Sequence, residues 1–126
     1  MQRLFVSTGA GLMALAVALG AFGAHGLRDV LEPAMLAAWH TGVQYHVYHA
    51  LGLLALGALH TRLHAGGARL AGLLMLAGVV LFCGSLYLMA LTGIRGLGAI
   101  TPFGGVAFII AWLIFAWGAL KGPAHP

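Results

Sequence analysis

Histidine, tyrosine and glutamine side chains are concentrated between His40 and His49 in this 126-residue sequence. Imidazole nitrogens can move protons or bind haem iron, zinc and copper, and tyrosine hydroxyls can donate and accept hydrogen bonds. At about 100° per residue, these side chains form two neighbouring rows along a helix. The rows are His40, Gln44 and Tyr48, and Thr41, Tyr45 and His49, with His46 nearest to His49. This spacing predicts a polar cluster on one broad half of a helix.

The polar cluster could have one of several functions. Paired imidazoles from two helices can ligate haem iron or another metal, and the candidate pairs are His25 with His40 and His46 with His49. The same side chains could line a pocket for a lipid, a quinone or another small ligand. We favour a network of hydrogen bonds that holds helices together, because the histidine spacing is not diagnostic of a metal site. An enzyme is disfavoured, since the sequence has no Ser/His/Asp set, phosphate-binding loop or paired intramembrane carboxylates.

The elements that position this cluster are predicted to be membrane helices. Hydrophobic residues make up 62% of the sequence and charged residues only 6%, whereas a water-soluble domain carries about 25% charged residues. The basic residues stand singly between apolar runs, as topology signals do, so nucleic-acid binding is set aside despite a net charge of +4. The single cysteine, Cys83, excludes an internal disulfide and is interpreted as a packing residue.

Four uncharged runs predict four transmembrane helices, at residues 4–27, 39–59, 70–94 and 102–120. Each run approaches or exceeds the roughly 20 residues that a helix needs to cross a bilayer. The first run is longer than the apolar segment of a signal peptide, so we interpret it as a retained helix. Glu32 and Pro33 are predicted to cap and open the second helix. We therefore predict an all-α membrane protein, a compact four-helix bundle that forms one domain over residues 1–126.

Small residues on the first and fourth runs are predicted to let helices approach closely. They are Ala10, Ala14 and Ala18, then Ala16, Gly20 and Ala24, and finally Gly104 and Gly105. We expect Trp39 to mark the outer membrane interface. Apart from its Thr101–Pro102 turn, the fourth run is interpreted as scaffold.

The polar cluster is predicted to gain members from neighbouring helices in the outer half of the membrane. His25, near the outer end of the first helix, would lie level with His40 in an antiparallel pair, and the third helix adds Ser85 and Tyr87. Polar groups at this depth are costly unless they find partners inside the bundle. The candidate ligand-binding residues are His25, His40, Gln44, Tyr45, His46, Tyr48, His49, Ser85 and Tyr87.

Basic residues near the helix ends predict the orientation. With four spans, Arg3, Arg62, Arg69 and Lys121 share one side, and Arg28 and Arg95 share the other. The positive-inside rule then places both termini in the cytoplasm. Transport is disfavoured because both acids lie in a loop rather than in a span. The chain could form a homo-oligomer or bind a partner in a larger membrane complex.

Four short segments carry a family resemblance. The run from Gly20 to His25 resembles "GAxGAH", and the run from Tyr45 to Leu51 resembles "YxxYHAL". Residues 81–87 are similar to "LFSGSLY", with Cys83 where serine is usual, and residues 100–105 are similar to "ITPxGG". Together these motifs resemble the small four-helix membrane proteins called domain of unknown function 423. YgdD-like and YwdK-like bacterial proteins are members, and human transmembrane protein 256 is a relative.

The resemblance implies a four-helix protein of the bacterial inner membrane and implies no activity or cofactor. The motif positions that carry over coincide largely with the polar cluster. They are His25, Tyr45, Tyr48, His49, Gly84, Ser85, Tyr87, Thr101, Pro102 and Gly105.

Overall fold

The computed structural model of the chain describes residues 1–124, and these residues contain no strand. Four helices follow one another along the chain: α1 Gln2–His25, α2 Pro33–Leu59, α3 Ala65–Thr92 and α4 Thr101–Lys121. A π-helical turn at Val79–Cys83 joins the α-helical segments Ala65–Gly78 and Gly84–Thr92 of α3. Short 3₁₀ turns occupy His60–Arg62 and Arg95–Ala99. The prediction of an all-α fold is confirmed.

Local sequence explains where the helices begin and end. Pro33 occupies the first turn of α2, where its missing N–H costs nothing. Glu32 precedes it but makes no side-chain capping bond, so the predicted cap is wrong in that respect. The α3 helix begins at Ala65, five residues before the predicted 70, because the His64 ring accepts a bond from the Gly67 N–H at 3.2 Å. Gly93, with φ of 75°, ends α3.

The central pair of helices is α2 and α3, with α1 packed mainly on α2 and α4 mainly on α3. A buried core joins all four helices through Phe5, Leu53, Leu56, Met75 and Ala111. Glycines permit the closest approaches, as where a Cβ at Gly9 would lie 2.9 Å from the Ala50 carbonyl oxygen.

Small residues line the α1 interface and match the predicted rows only in part, at Ala16 and at Gly20, which lies against Val43 of α2. The buried small residues of α1 are Gly9, Ala16 and Gly23, spaced seven residues apart. Of these three, only Ala16 belonged to the predicted rows. The seven-residue spacing follows one stripe of a helix that faces a neighbour along its whole length.

Three helical segments are long and apolar enough to cross a membrane: Gln2–His25, Ala65–Thr92 and Arg95–Lys121. The α2 helix is not among them, although it is 27 residues long. Its polar side chains, including His40, Gln44, His46 and His49, lower its mean hydropathy. The composition of α2 therefore sets it apart from the other three helices.

Candidate functional site

His49 of α2 is held by hydrogen bonds at both ring nitrogens. The ring is 3% exposed. Its Nδ1 lies 2.7 Å from the carbonyl oxygen of Tyr45, one turn earlier. Trp112 of α4 donates its indole N–H to Nε2 at 3.0 Å. The ring also stacks on Phe108, with centroids 3.4 Å apart and planes at 9°.

These partners define the proton position on His49. A carbonyl oxygen can only accept, so Nδ1 carries the hydrogen, and an indole N–H can only donate, so Nε2 is the bare acceptor. The ring is therefore neutral and both nitrogens are occupied. A metal ion or haem iron would have to displace one of these bonds in order to bind His49.

His46 points in a different direction from His49 and pairs with α3. It is 1% exposed, and its Nδ1 lies 2.9 Å from the hydroxyl oxygen of Tyr87. Its Nε2 is buried and has no hydrogen-bond partner within residues 1–124, although the Leu12 carbonyl of α1 faces this ring. Tyr87 is thus a partner of the histidine cluster, as the sequence suggested.

Three other predicted residues of α1 and α2 lie apart from these two pairs. The side chains of His25, His40 and Gln44 are exposed. Gln44 donates to the hydroxyl of Tyr48 at 2.6 Å on the outside of the bundle. His46 and His49 bond to different helices, and within residues 1–124 no three His, Cys, Asp or Glu side chains converge on a metal position.

Ser85 bonds two helices to each other and is not a hydrogen-bond partner of the histidines. Its hydroxyl donates to the Phe82 carbonyl at 2.9 Å and lies 2.6 Å from the Thr101 hydroxyl. Ser85 is 4% exposed, so this bond joins α3 directly after the π-helical turn to the first residue of α4. The motif positions 85 and 101 therefore meet in space.

The two buried histidines lie near the middle of α2 rather than at its first turns. His46 is midway between Pro33 and Leu59, and Trp112 is close to midway along α4. His25 and His40 lie nearer the end at which the whole cluster was predicted, and so does Ser85, which bonds to the first residue of α4. The α2 helix begins at Pro33, as predicted from the Glu32–Pro33 pair, so six of its residues precede the predicted span and His46 lies at its centre.

Two tryptophans overturn further predictions. Trp39 is 2% exposed and donates its indole N–H to the Leu19 carbonyl at 2.9 Å, so its ring is buried between α1 and α2 and does not face outward as a residue of an aromatic belt would. Trp112 and Phe108 make α4 part of the histidine site, so α4 is more than scaffold. A tryptophan in the middle of an apolar run was the available signal, because a buried indole N–H needs an acceptor.

A groove lies beside His49, where α2, the π-helical turn and α4 meet. Its volume is about 590 Å³ and its walls are mainly aromatic. The rings that line it are Tyr45, Tyr48, His49, Phe82, Phe108 and Trp112. It opens on the outside of the bundle, since Tyr48, Leu51 and Ile109 on its rim are 47%, 51% and 62% exposed.

The fold and its apolar helices define a helical membrane protein. Residues 19–105 match the family described as protein of unknown function DUF423, and the chain belongs to that family. It is 53% identical over 121 residues to the UPF0382 membrane protein YwdK of Bacillus subtilis, covering 95% of this chain and 98% of the relative. It is 45% identical over 120 residues to a UPF0382 membrane protein of Staphylococcus epidermidis, with 95% and 98% covered. No solved structure matches the chain.

Proposed function

We propose that this chain is a structural or accessory protein of the bacterial inner membrane, a single domain of four transmembrane helices. Its histidine and tyrosine cluster fixes α2 inside the bundle and performs no catalysis. The observation that carries the proposal is a pair of bonds from the middle of α2, His46 to Tyr87 of α3 and His49 to Trp112 of α4. They tie the most polar helix to two apolar neighbours.

Packing supports a membrane crossing by α2. At 1.5 Å per residue its 27 residues extend about 40 Å, more than the hydrocarbon thickness. Gly57, near one end of α2, lies against Val6 of α1, and Gly42, nearer the other, lies against Tyr87 of α3. Since α1 and α3 are both candidate spans, a helix packed along them lies at the same depth. Its polar groups are then tolerated because the two buried histidines find partners inside the bundle.

Charge supports the orientation with both termini in the cytoplasm. We call the end of the bundle with Arg3, Arg62, Arg69 and Lys121 the basic end. At the opposite end, Arg28 lies 3.9 Å from Asp29 and Arg95 lies 4.0 Å from Glu32. The excess of basic residues at the basic end is the arrangement that the positive-inside rule associates with the cytoplasm.

An accessory role implies a partner, either a second copy of this chain or a larger membrane complex. The outward faces of α1 and α4 are the surfaces available for it. On α1, the exposed residues Ser7, Gly11, Ala14 and Ala18 are small, and a Cβ at Gly11 would meet nothing within 4 Å. Small residues on a membrane-facing stripe allow another helix to approach closely.

One observation favours a second candidate function, the binding of a lipid-soluble ring compound such as a quinone. The Tyr45 ring lines the groove and is 37% exposed. Within residues 1–124 Tyr45 takes part in hydrogen bonding through its carbonyl and not through its hydroxyl. A phenol in hydrocarbon lacks water to bond, so a ligand carbonyl in the groove would satisfy it between aromatic walls.

Analysis of the purified protein separates these functions. The structural role predicts a colourless protein that holds no metal and no extractable organic ligand at one per chain. A Soret band or a stoichiometric metal ion would contradict the proposal, because both nitrogens of His49 would then need other partners. An organic ligand present at one per chain, lost from Tyr45→Phe and kept by His25→Ala, would establish the second candidate instead.

A further inference from the structure

The basic end of the bundle has no acidic side chain to balance it. Asp29 and Glu32 are the only acidic residues in the sequence, and both lie at the opposite end beside Arg28 and Arg95. Each cation of the basic end therefore has no carboxylate side chain for an ion pair. Lys121 lies 5.0 Å from the Trp117 ring centroid. This end of the bundle therefore attracts anionic groups.

One of these cations stands at a recess. Between the first turns of α1 and the beginning of α3 lies a depression of about 290 Å³, lined by Met1, Leu4, Phe5, Arg69 and Leu73. Phe5 forms its floor, 1% exposed, with its ring over Gly72, where any Cβ would overlap it. Leu4 and Leu73, 59% and 50% exposed, form its sides. Arg69 is the only charged side chain that lines it, and Met1 adds the N-terminal ammonium group.

The order of these residues along α3 matches the shape of a phospholipid. Arg69 and Leu73 are four residues apart, so they share a face of the helix, about 6 Å apart along its axis. Since α3 starts at the basic end and runs into the apolar part of the bundle, the leucine is the deeper of the two. A charged group at the mouth and an apolar track below it complement a phosphate with an acyl chain.

We propose that this recess binds an anionic phospholipid, with the Arg69 guanidinium on its phosphate and one acyl chain against Leu4, Phe5 and Leu73. Guanidinium binds phosphate through two parallel N–H···O bonds. An anionic headgroup is favoured over a zwitterionic one, because its net negative charge is attracted by the unbalanced basic end. The site rests on α1 and α3 as membrane spans and is independent of the crossing by α2 and of the groove.

Lipid binding to the purified full chain tests the site, with native mass spectrometry counting bound lipid in a mild detergent. The probes are phosphatidylglycerol, phosphatidylcholine and soluble glycerol phosphate. We expect wild type to bind phosphatidylglycerol about tenfold more tightly than phosphatidylcholine and to leave glycerol phosphate unbound. Arg69→Gln should weaken phosphatidylglycerol binding about tenfold, since a charge-assisted phosphate contact is lost. The matched variant Arg62→Gln removes the same charge from the basic end outside the recess and should stay within about twofold of wild type.

Three results would overturn the proposal: equal losses in both arginine variants, equal binding of the two phospholipids, and retention of glycerol phosphate without an acyl chain. Equal losses would indicate diffuse attraction by the basic end. If Arg69→Gln fails to fold, Leu73→Trp tests the same recess from its apolar side. It should lose the lipid although Arg69 is intact, and undiminished binding by this variant would exclude the recess.

Discussion

The two buried histidines of α2 act as hydrogen-bonding residues between helices. His49 joins α2 to α4 through Trp112, and His46 joins α2 to α3 through Tyr87. The sequence could predict that these polar side chains need partners, and it pointed to Tyr87. It could not predict that they point to different neighbours, because the direction of a side chain depends on which helices pack on each face. That information lies in long-range packing, as the unpredicted role of Trp112 illustrates.

A double-mutant cycle on His49 and Trp112 measures this bond. We expect His49→Phe and Trp112→Phe each to lower the free energy of unfolding by about 1–3 kcal/mol, because the first leaves the Trp112 indole N–H and the second the buried His49 ring without a partner. The double variant should lose less than the sum of the two, with a coupling of about 0.6–1.7 kcal/mol, as for other hydrogen bonds between membrane helices. The readout is reversible unfolding in mixed micelles.

The control for this cycle is His25→Phe, the same change at an exposed histidine. It should change the free energy of unfolding by less than about 0.5 kcal/mol. Strictly additive losses from His49→Phe and Trp112→Phe would show that the bond does not stabilise the bundle.

At the scale of elements, the decisive feature is the close crossing of α3 by α4. The π-helical turn at Val79–Cys83 places Phe82 against Gly104, where a Cβ would overlap the Phe82 backbone N–H. The sequence predicted that Gly104–Gly105 allows a close approach, and the structure confirms it for Gly104. The π-helical turn itself was not predicted, because Val79–Cys83 is as apolar as its flanks and carries no proline or other local mark.

Alanine substitutions at the two adjacent glycines test this crossing. Gly104→Ala should destabilise the protein by about 1–3 kcal/mol, since backbone must move to admit the methyl group. Gly105→Ala adds the same methyl group, whose nearest neighbour is the Phe82 ring at 3.8 Å, an ordinary contact. Its effect should stay within about 0.5 kcal/mol. Equal unfolding free energies for the two variants would contradict the crossing as described.

At the scale of the whole molecule, the four helices differ in hydropathy. Three segments are apolar enough to cross a membrane, whereas α2 carries three histidines and two tyrosines and is buried at its centre by the other helices. Composition alone predicted lipid as the solvent, and the relatives are membrane proteins. Composition could not establish whether α2 crosses the membrane. The cost of placing its polar side chains there depends on hydrogen-bond partners that only the folded bundle supplies.

The crossing by α2 is the central claim, and cysteine labelling tests it most directly. Val30 is 73% exposed before α2, and Thr61 is exposed after it. Native Cys83 is 0% exposed, so unmodified protein serves as the blank. In spheroplasts treated with a membrane-impermeant maleimide, Val30→Cys should react at once and Thr61→Cys only after the membrane is permeabilised. Labelling of both cysteines from the same side would show that α2 does not cross and would contradict the four-span account.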